Sequence, residues 1–243
     1  MSLMSRRLIK IFLGLGLVII LAVLIGPKSV LATSPTFLVS WKADNYAPLQ
    51  YFGKIFPVNQ TKITVSFEMV SNNPDDSGKL VDLSGSEVRW YVNDQIMYKE
   101  NGRKTMSFVT SDSGGAETNV KISAEYFDKV LGYSSFVNRY LTIPLVSPEV
   151  VINNVGFSAS LSQKTSSRIF AIPYFFNSDF KNLSVKWSIN DQNVAVDPKD
   201  PWNLDLSLGS NYPARAIVKI TAVVSNILEG LPSASKDFYL TVQ

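Results

Sequence analysis

Three groups of side chains in this 243-residue chain have types and spacing that suggest chemistry. The first is acidic: Asn72-Asn73-Pro74-Asp75-Asp76-Ser77-Gly78, followed by Asp82. Carboxylate and amide oxygens of this kind are the donors that calcium selects. The spacing is not that of an EF-hand loop, so the stretch reads as a solvated turn and no metal site is assigned. The second group is aromatic. Tyr46, Tyr51, Phe52 and Phe56 crowd the segment from Tyr46 to Pro57, and Trp202 sits in the turn-like Asp200-Pro201-Trp202-Asn203. Exposed rings of this density form a contact patch for a protein partner or stack on a sugar; buried, they close the end of a core. These five are the candidate partner-binding residues. The third group would be catalytic, and it is thin. The chain has no Cys and no His, which removes thiolate nucleophiles, imidazole bases and Cys/His zinc sites. No Ser-x-x-Lys lies in a helical pattern, no glycine-rich phosphate loop follows a strand, and no sequence feature pairs two carboxylates across a cleft. The expectation is a protein without catalytic residues and without a cofactor.

Charge narrows the partners. The formal net charge is +3, but Arg6, Arg7, Lys10 and Lys28 all precede Pro35, where no acid occurs. The remainder carries 19 bases against 20 acids and has no surplus with which to neutralise a phosphate backbone, so nucleic acid is not an expected partner.

The first 34 residues read as an export segment. Ile11 to Ile25 contains no polar side chain and follows the three basic residues Arg6, Arg7 and Lys10. Two readings stay open. As a signal peptide, the run would end at Gly26-Pro27 and be cleaved after Ala32. As an anchor, Leu8 to Gly26 would span about 28 Å as a helix, close to the roughly 30 Å of a hydrocarbon core. In both, the rest of the chain lies outside the cytoplasm, either membrane-anchored or secreted.

Beyond Pro35 the pattern has period two. Ile63, Val65, Phe67 and Met69 alternate with Lys62, Thr64, Ser66 and Glu68. Val88, Trp90 and Val92 alternate with Glu87, Arg89 and Tyr91, and Val120, Ile122, Ala124 and Tyr126 with Lys121, Ser123 and Glu125. Such strands have one buried face. The pattern also repeats. Val88-Arg89-Trp90-Tyr91-Val92-Asn93-Asp94-Gln95 returns as Val185-Lys186-Trp187-Ser188-Ile189-Asn190-Asp191-Gln192, Val120-Lys121-Ile122-Ser123-Ala124 as Val218-Lys219-Ile220-Thr221-Ala222, and Leu141-Thr142-Ile143 as Leu240-Thr241-Val242. Three matches in order at a near-constant offset define two copies of one unit, with a boundary near Ser147-Pro148-Glu149. The expected architecture is all-β: two tandem immunoglobulin-like sandwiches, residues 35–146 and 147–243, after an N-terminal membrane or signal helix in residues 1–34. Trp90 and Trp187 are the expected centres of the two cores, and Asn-Asp after each suits a tight hairpin turn. The linker is too short for a flexible tether, so the expected shape is a semi-rigid rod.

The Trp-x-[Val/Ile]-Asn-Asp strand and turn, followed by Val-Lys-Ile-x-Ala, resembles bacterial immunoglobulin-like and PKD-like surface domains. The opening of the first copy, Trp41-Lys42-Ala43-Asp44-Asn45-Tyr46-Ala47-Pro48 through Tyr51-Phe52-Gly53-Lys54 to Pro57, resembles exported proteins of candidate-phyla (Patescibacteria) bacteria, some of them associated with pilus or envelope systems. The resemblance implies location more than activity. The expected role of two such sandwiches without catalytic residues is that of a cell-surface spacer and protein-binding module, with self-association or adhesion through a loop end or strand edge. The alternative is a carbohydrate-binding sandwich module.

Overall fold

The computed structural model describes residues 34–111, 115–154, 160–161, 166–207, 213–227 and 233–243. The expected N-terminal helix lies outside the described residues. Among those described, no helix is long and apolar enough to cross a membrane.

The first copy holds seven strands: β1 (Thr36–Ala43), β2 (Lys62–Val70), β3 (Glu87–Val92), β4 (Gln95–Asn101), β5 (Thr105–Val109), β6 (Glu117–Asp128) and β7 (Tyr133–Pro144). They form two antiparallel sheets, ordered β1-β2-β5 and β4-β3-β6-β7. The second copy holds β8 (Glu149–Asn154), the two-residue β9 (Ser160–Leu161), β10 (Ser166–Tyr174), β11 (Leu183–Ile189), β12 (Gln192–Val194), β13 (Asn203–Ser207), β14 (Ile217–Asn226) and β15 (Ala234–Val242). Its sheets run β8-β10-β13 and β12-β11-β14-β15-β9, with β9 parallel to β15. The described helical element is one 3-10 turn, Phe180–Asn182. In the first copy β1, β2 and β5 face a sheet of β3, β4, β6 and β7; in the second, β8, β10 and β13 face a sheet of β9, β11, β12, β14 and β15. That Greek-key order is the immunoglobulin-type sandwich, with β4 and β12 carried on the second sheet.

Alternation decides which face is inside. Ile63, Val65, Phe67 and Met69 on β2 are buried, and Val88 and Trp90 on β3 meet them from the other sheet. The Phe67 and Trp90 rings pack edge-on, 5.5 Å apart. Trp187, with Val218, Ile220, Ala222 and Val224 of β14, fills the second core. Each indole is also tied across its sandwich. Trp90 Nε1–H donates to the Arg103 carbonyl at 2.9 Å, and Trp187 Nε1–H to the Pro201 carbonyl at 3.0 Å. Both acceptors lie where the chain crosses from one sheet to the other.

The Asn-Asp turns have the expected geometry. Asn93 and Asp94 have φ of 47° and 64°, and Asn190 and Asp191 have 48° and 63°. Two successive left-handed residues give the type I′ twist that matches the flanking strands. Each Asn side chain also accepts a backbone N–H from the neighbouring strand, Asn119 or Lys219, at 3.0 Å.

One detail of the repeat differs from its sequence. Trp90 lies opposite Ile122, whereas Trp187 lies opposite Ala222 rather than the matching Ile220. The β11–β14 pairing is therefore two residues out of step with β3–β6. A two-residue slip preserves which face each side chain occupies, so both registers bury the same pattern.

Trp90→Ala is expected to cost about 3–5 kcal/mol, the usual loss for a buried indole. Chemical denaturation followed by Trp187 and far-ultraviolet dichroism would measure it. A loss under about 1 kcal/mol would mean that the indole is not the centre of the first core.

Candidate interaction surface at the junction of the two sandwiches

The long crossing between β1 and β2, residues 44–61, carries four of the five candidate rings and runs to the second sandwich. Tyr46 and Phe176 form an isolated antiparallel bridge. Tyr46 N–H donates to the Phe176 carbonyl, and Phe175 N–H donates to the Tyr46 carbonyl, both at 2.8 Å. Asn45 Nδ2 donates to the Phe175 carbonyl at 2.9 Å, and Asn177 Nδ2 to the Gln60 carbonyl at 2.7 Å. Val146 N–H, just past β7, donates to Pro57 at 2.9 Å, which folds the crossing back against the linker. Phe175 sits at φ 61°, a left-handed conformation that an aromatic residue rarely adopts. The two hydrogen bonds to Tyr46 and Asn45 hold it there.

Rings fill the space these bonds enclose. Tyr51 packs edge-on to Tyr174 and Phe175, with centroids 5.7 and 5.5 Å away, and Phe56 lies between Trp41 and Phe175 at 6.1 and 6.3 Å. Lys54 places its ammonium 3.9 Å above the Trp41 ring and donates to the Trp41 carbonyl. On the other side Tyr46 stacks on Phe180 at 5.3 Å, and Phe180 stacks on Trp202 at 4.7 Å. Tyr46 and Trp202 both pack against the core of the second sandwich, to which fully buried Phe176 belongs.

The five candidates are therefore distributed unevenly. Tyr46, Tyr51, Phe56 and Trp202 are half-buried and engaged with other rings at the junction, whereas Phe52 is 95% exposed, next to fully exposed Leu49. Tyr46 and Trp202, far apart in the chain, meet through Phe180. Sequence reasoning missed the second copy's half of this cluster, Tyr174, Phe175, Phe176 and Phe180. The run Pro173-Tyr174-Phe175-Phe176 at the end of a strand was the available signal.

The acidic stretch is spent internally. Asp76 accepts a hydrogen bond from Ser71 Oγ at 2.6 Å and pairs with Lys129. The Lys129 hydrogen bond first, and then that of Ser71, hold its carboxyl below the ordinary range. Asp82 accepts the Ser84 backbone N–H at 2.9 Å, and that bond lowers its pKa as well. Among the described residues no three Asp, Glu, His or Cys side chains converge to hold a metal ion. Ser178 lies just before the 3-10 turn that holds Lys181; Lys181 is 3.5 Å from Asp179 and Ser178 Oγ is buried without a hydrogen-bond partner, so these two side chains do not pair.

No protein-family model matches the chain, and no curated protein matches it. Among solved structures, the three N-terminal domains of the bacteriophage RB49 highly immunogenic outer capsid protein are 13% identical, with a TM-score of 0.42 over 86% of this chain. The chain spans 59% of that phage chain. Fibronectin(III)-like modules of Clostridium thermocellum CbhA are 13% identical, with a TM-score of 0.27 over 84% of this chain and 93% of theirs. A Bacteroides ovatus mixed-linkage glucan utilization protein, SGBP-B, solved with a mixed-linkage heptasaccharide, is 14% identical, with a TM-score of 0.23 over 86% of this chain and 47% of its own. At these scores the fold assignment rests on the strand order given above.

Two outcomes follow from the junction. The chain lacks Cys, so Gln95→Cys with Gln192→Cys places one spin label on the same turn of each sandwich. The distance distribution should be narrow in the parent and broaden with Tyr46→Ala; an unchanged width would mean that the rings do not fix the junction. The second concerns pH. Burial, and after it the neighbouring Tyr174, push the Tyr46 phenol above its ordinary value of 10.0. A phenol that holds its proton more tightly in the folded chain contributes stability that is complete below the ordinary value and is lost as pH rises through the folded one. Tyr46→Phe should therefore weaken less than the parent above pH 10.0, read as the difference in unfolding midpoint between neutral and alkaline buffer.

Proposed function

We propose that this chain is a non-catalytic cell-surface or envelope protein that acts as a spacer and protein-binding module. It is exported and held at a membrane by its N-terminal segment, or secreted where that segment is cleaved after Ala32. The observation that carries the reading is the junction: backbone hydrogen bonds and a shared ring cluster turn two sandwiches into one extended unit. A spacer needs such a fixed joint, and an aromatic segment sealed between modules supplies it without a disulfide.

The first sandwich offers the partner surface. The solvent face of its four-stranded sheet aligns Tyr91, Lys121 and Tyr140 in one cross-strand row, with the Lys121 ammonium 4.9 and 5.8 Å from the two ring centroids. Arg89 stacks over Phe136 beside them at 4.1 Å. Aromatic rings and arginine are the side chains that contribute most at protein interfaces. Pairing of strand edges is less favoured here, because Arg139 occupies an inward position on the edge strand β7, opposite Ile122, as edge-blocking charges do. A pilus-associated or adhesive assembly therefore recruits the sheet face in this reading. The alternative, a carbohydrate-binding module, draws support from Phe52 and from Tyr140, which is 67% exposed.

The test is protease treatment of intact and lysed cells, with intact mass determined on the retained chain. Digestion of residues 34–243 from outside, on a chain that keeps its first 33 residues, supports an anchored spacer. A mass beginning at Thr33 supports the secreted form. Digestion only after lysis overturns export altogether.

A further inference from the structure

The β6–β7 hairpin is the longest among the described residues, with both strands of 12 residues. Its far end is apolar and exposed: Phe127 is 54% exposed, Val130 39%, Leu131 37%, Tyr133 54% and Phe136 39%. None of these rings or branched chains belongs to the core of the first sandwich. Singly, exposed apolar residues need no explanation; Phe127, Val130, Leu131 and Tyr133 together make this hairpin end apolar, with Phe136 under Arg89 behind them.

Three backbone N–H groups of this tip find acceptors within it. Asp128 is buried, and its Oδ1 accepts the N–H groups of Val130 and Leu131 at 2.8 and 3.1 Å. Its carbonyl accepts Gly132 N–H at 2.7 Å, with Gly132 at φ 76°, where a glycine is suited to the turn. Lys129 points back to Asp76. The side chains left facing outwards are Val130 and Leu131, on a turn whose Val130, Leu131 and Gly132 N–H groups need no water. That lowers the cost of bringing it to the boundary of a hydrocarbon phase.

Hydrogen bonds also fix where this tip lies in the chain. Asn72 Nδ2 donates to the Ser34 carbonyl at 2.7 Å, and the next residue, Asn73, donates to the Tyr126 hydroxyl at 2.6 Å. The hairpin tip and the first described residue are thus at the same end of the first sandwich, opposite the junction with the second. In sequence, only residues 27–33 separate Ser34 from the apolar run that closes at Gly26, and seven residues reach at most about 25 Å. The turn at Val130 and Leu131 extends about 10 Å past Tyr126 at the usual rise of a strand. A tether of that length is long enough to let the tip reach a membrane surface.

We infer that the β6–β7 hairpin tip is a membrane-docking loop, with Val130 and Leu131 seated at the headgroup–acyl boundary and Phe127 and Tyr133 flanking them at the interface. It rests on the uncleaved-anchor reading proposed above. Aromatic rings favour this depth, and a tethered protein gains binding from a few apolar side chains because the anchor holds them at high local concentration. Docking orients the two-sandwich unit away from the bilayer and leaves the sheet face of Tyr91 and Tyr140 open to a partner.

The full chain is reconstituted into phosphatidylcholine–phosphatidylglycerol vesicles, with a polarity-sensitive fluorophore on Leu131→Cys, on Phe127→Cys as a second variant, and on Gln192→Cys as a control. Gln192 follows the turn beside Lys219, at the end of β14 away from the junction. Docking predicts a blue shift at Leu131→Cys and Phe127→Cys and loss of most of their emission when spin-labelled lipid is added, with no change at Gln192→Cys. Vesicle flotation separates the two layers of the argument. A chain that does not float overturns the anchor and the docking together. A chain that floats with unquenched labels at both tip positions overturns docking alone. A blue shift that lipid does not quench, and that grows with protein density, overturns it in favour of contact between copies.

Discussion

Each sandwich is closed by one indole. Trp90 and Trp187 stand at the centre of their cores, and each donates its N–H to a carbonyl on the chain that crosses between the sheets. In a chain without cysteine, this is the interaction that ties the two sheets at their midpoint. The ring supplies buried apolar area, and the N–H satisfies a carbonyl that the crossing would otherwise leave unpaired. Everything else is arranged around that tie: the alternating faces that meet the ring, the Asn-Asp turn that follows it, and the crossing loops that start the return to the first sheet.

The junction solves a different problem. Two sandwiches joined by a few residues would rock about their linker, because relative motion is the default where an interface is small. Here the crossing after β1 is long enough to leave its own sandwich and pair with the end of β10. The paired backbone at Tyr46 and Phe176 fixes direction, and the half-buried rings of Tyr51, Phe56, Tyr174, Phe175 and Trp202, with the more exposed Phe180, pack on either side of it. The left-handed Phe175 is the local cost, held by bonds that exist only when the two copies are in place.

Polarity along the molecule follows from the same connectivity. One end of the first sandwich holds Ser34, the acidic turn and the β6–β7 tip, cross-linked through Asn72, Asn73, Asp76 and Lys129. The other end holds the junction. The acidic turn thus serves as a bracket for the hairpin: the Asp76 carboxylate faces Lys129, and the amides of Asn73 and Asn72 face Tyr126 and Ser34.

Much of the fold was legible in the sequence. Period-two alternation named the buried faces of β2, β3 and β6, the repeat named two units, and Trp and Asn-Asp named the cores and turns, because each of these is a local pattern. The register between β11 and β14 was not legible, since a two-residue slip leaves every local pattern intact. The rings from Tyr46 to Phe56 were visible as a cluster, but their destination was not: what surrounds a ring depends on residues more than a hundred positions away. The hairpin tip was hidden for the same reason, as Phe127, Val130, Leu131 and Tyr133 look like any strand end until burial shows that they stay open to solvent at one end of the sandwich. The sequence by itself determined the faces, the turns and the count of units, which depend on neighbours in the chain. The tertiary structure decided which surfaces meet and which stay open, because water is excluded only where distant segments come together.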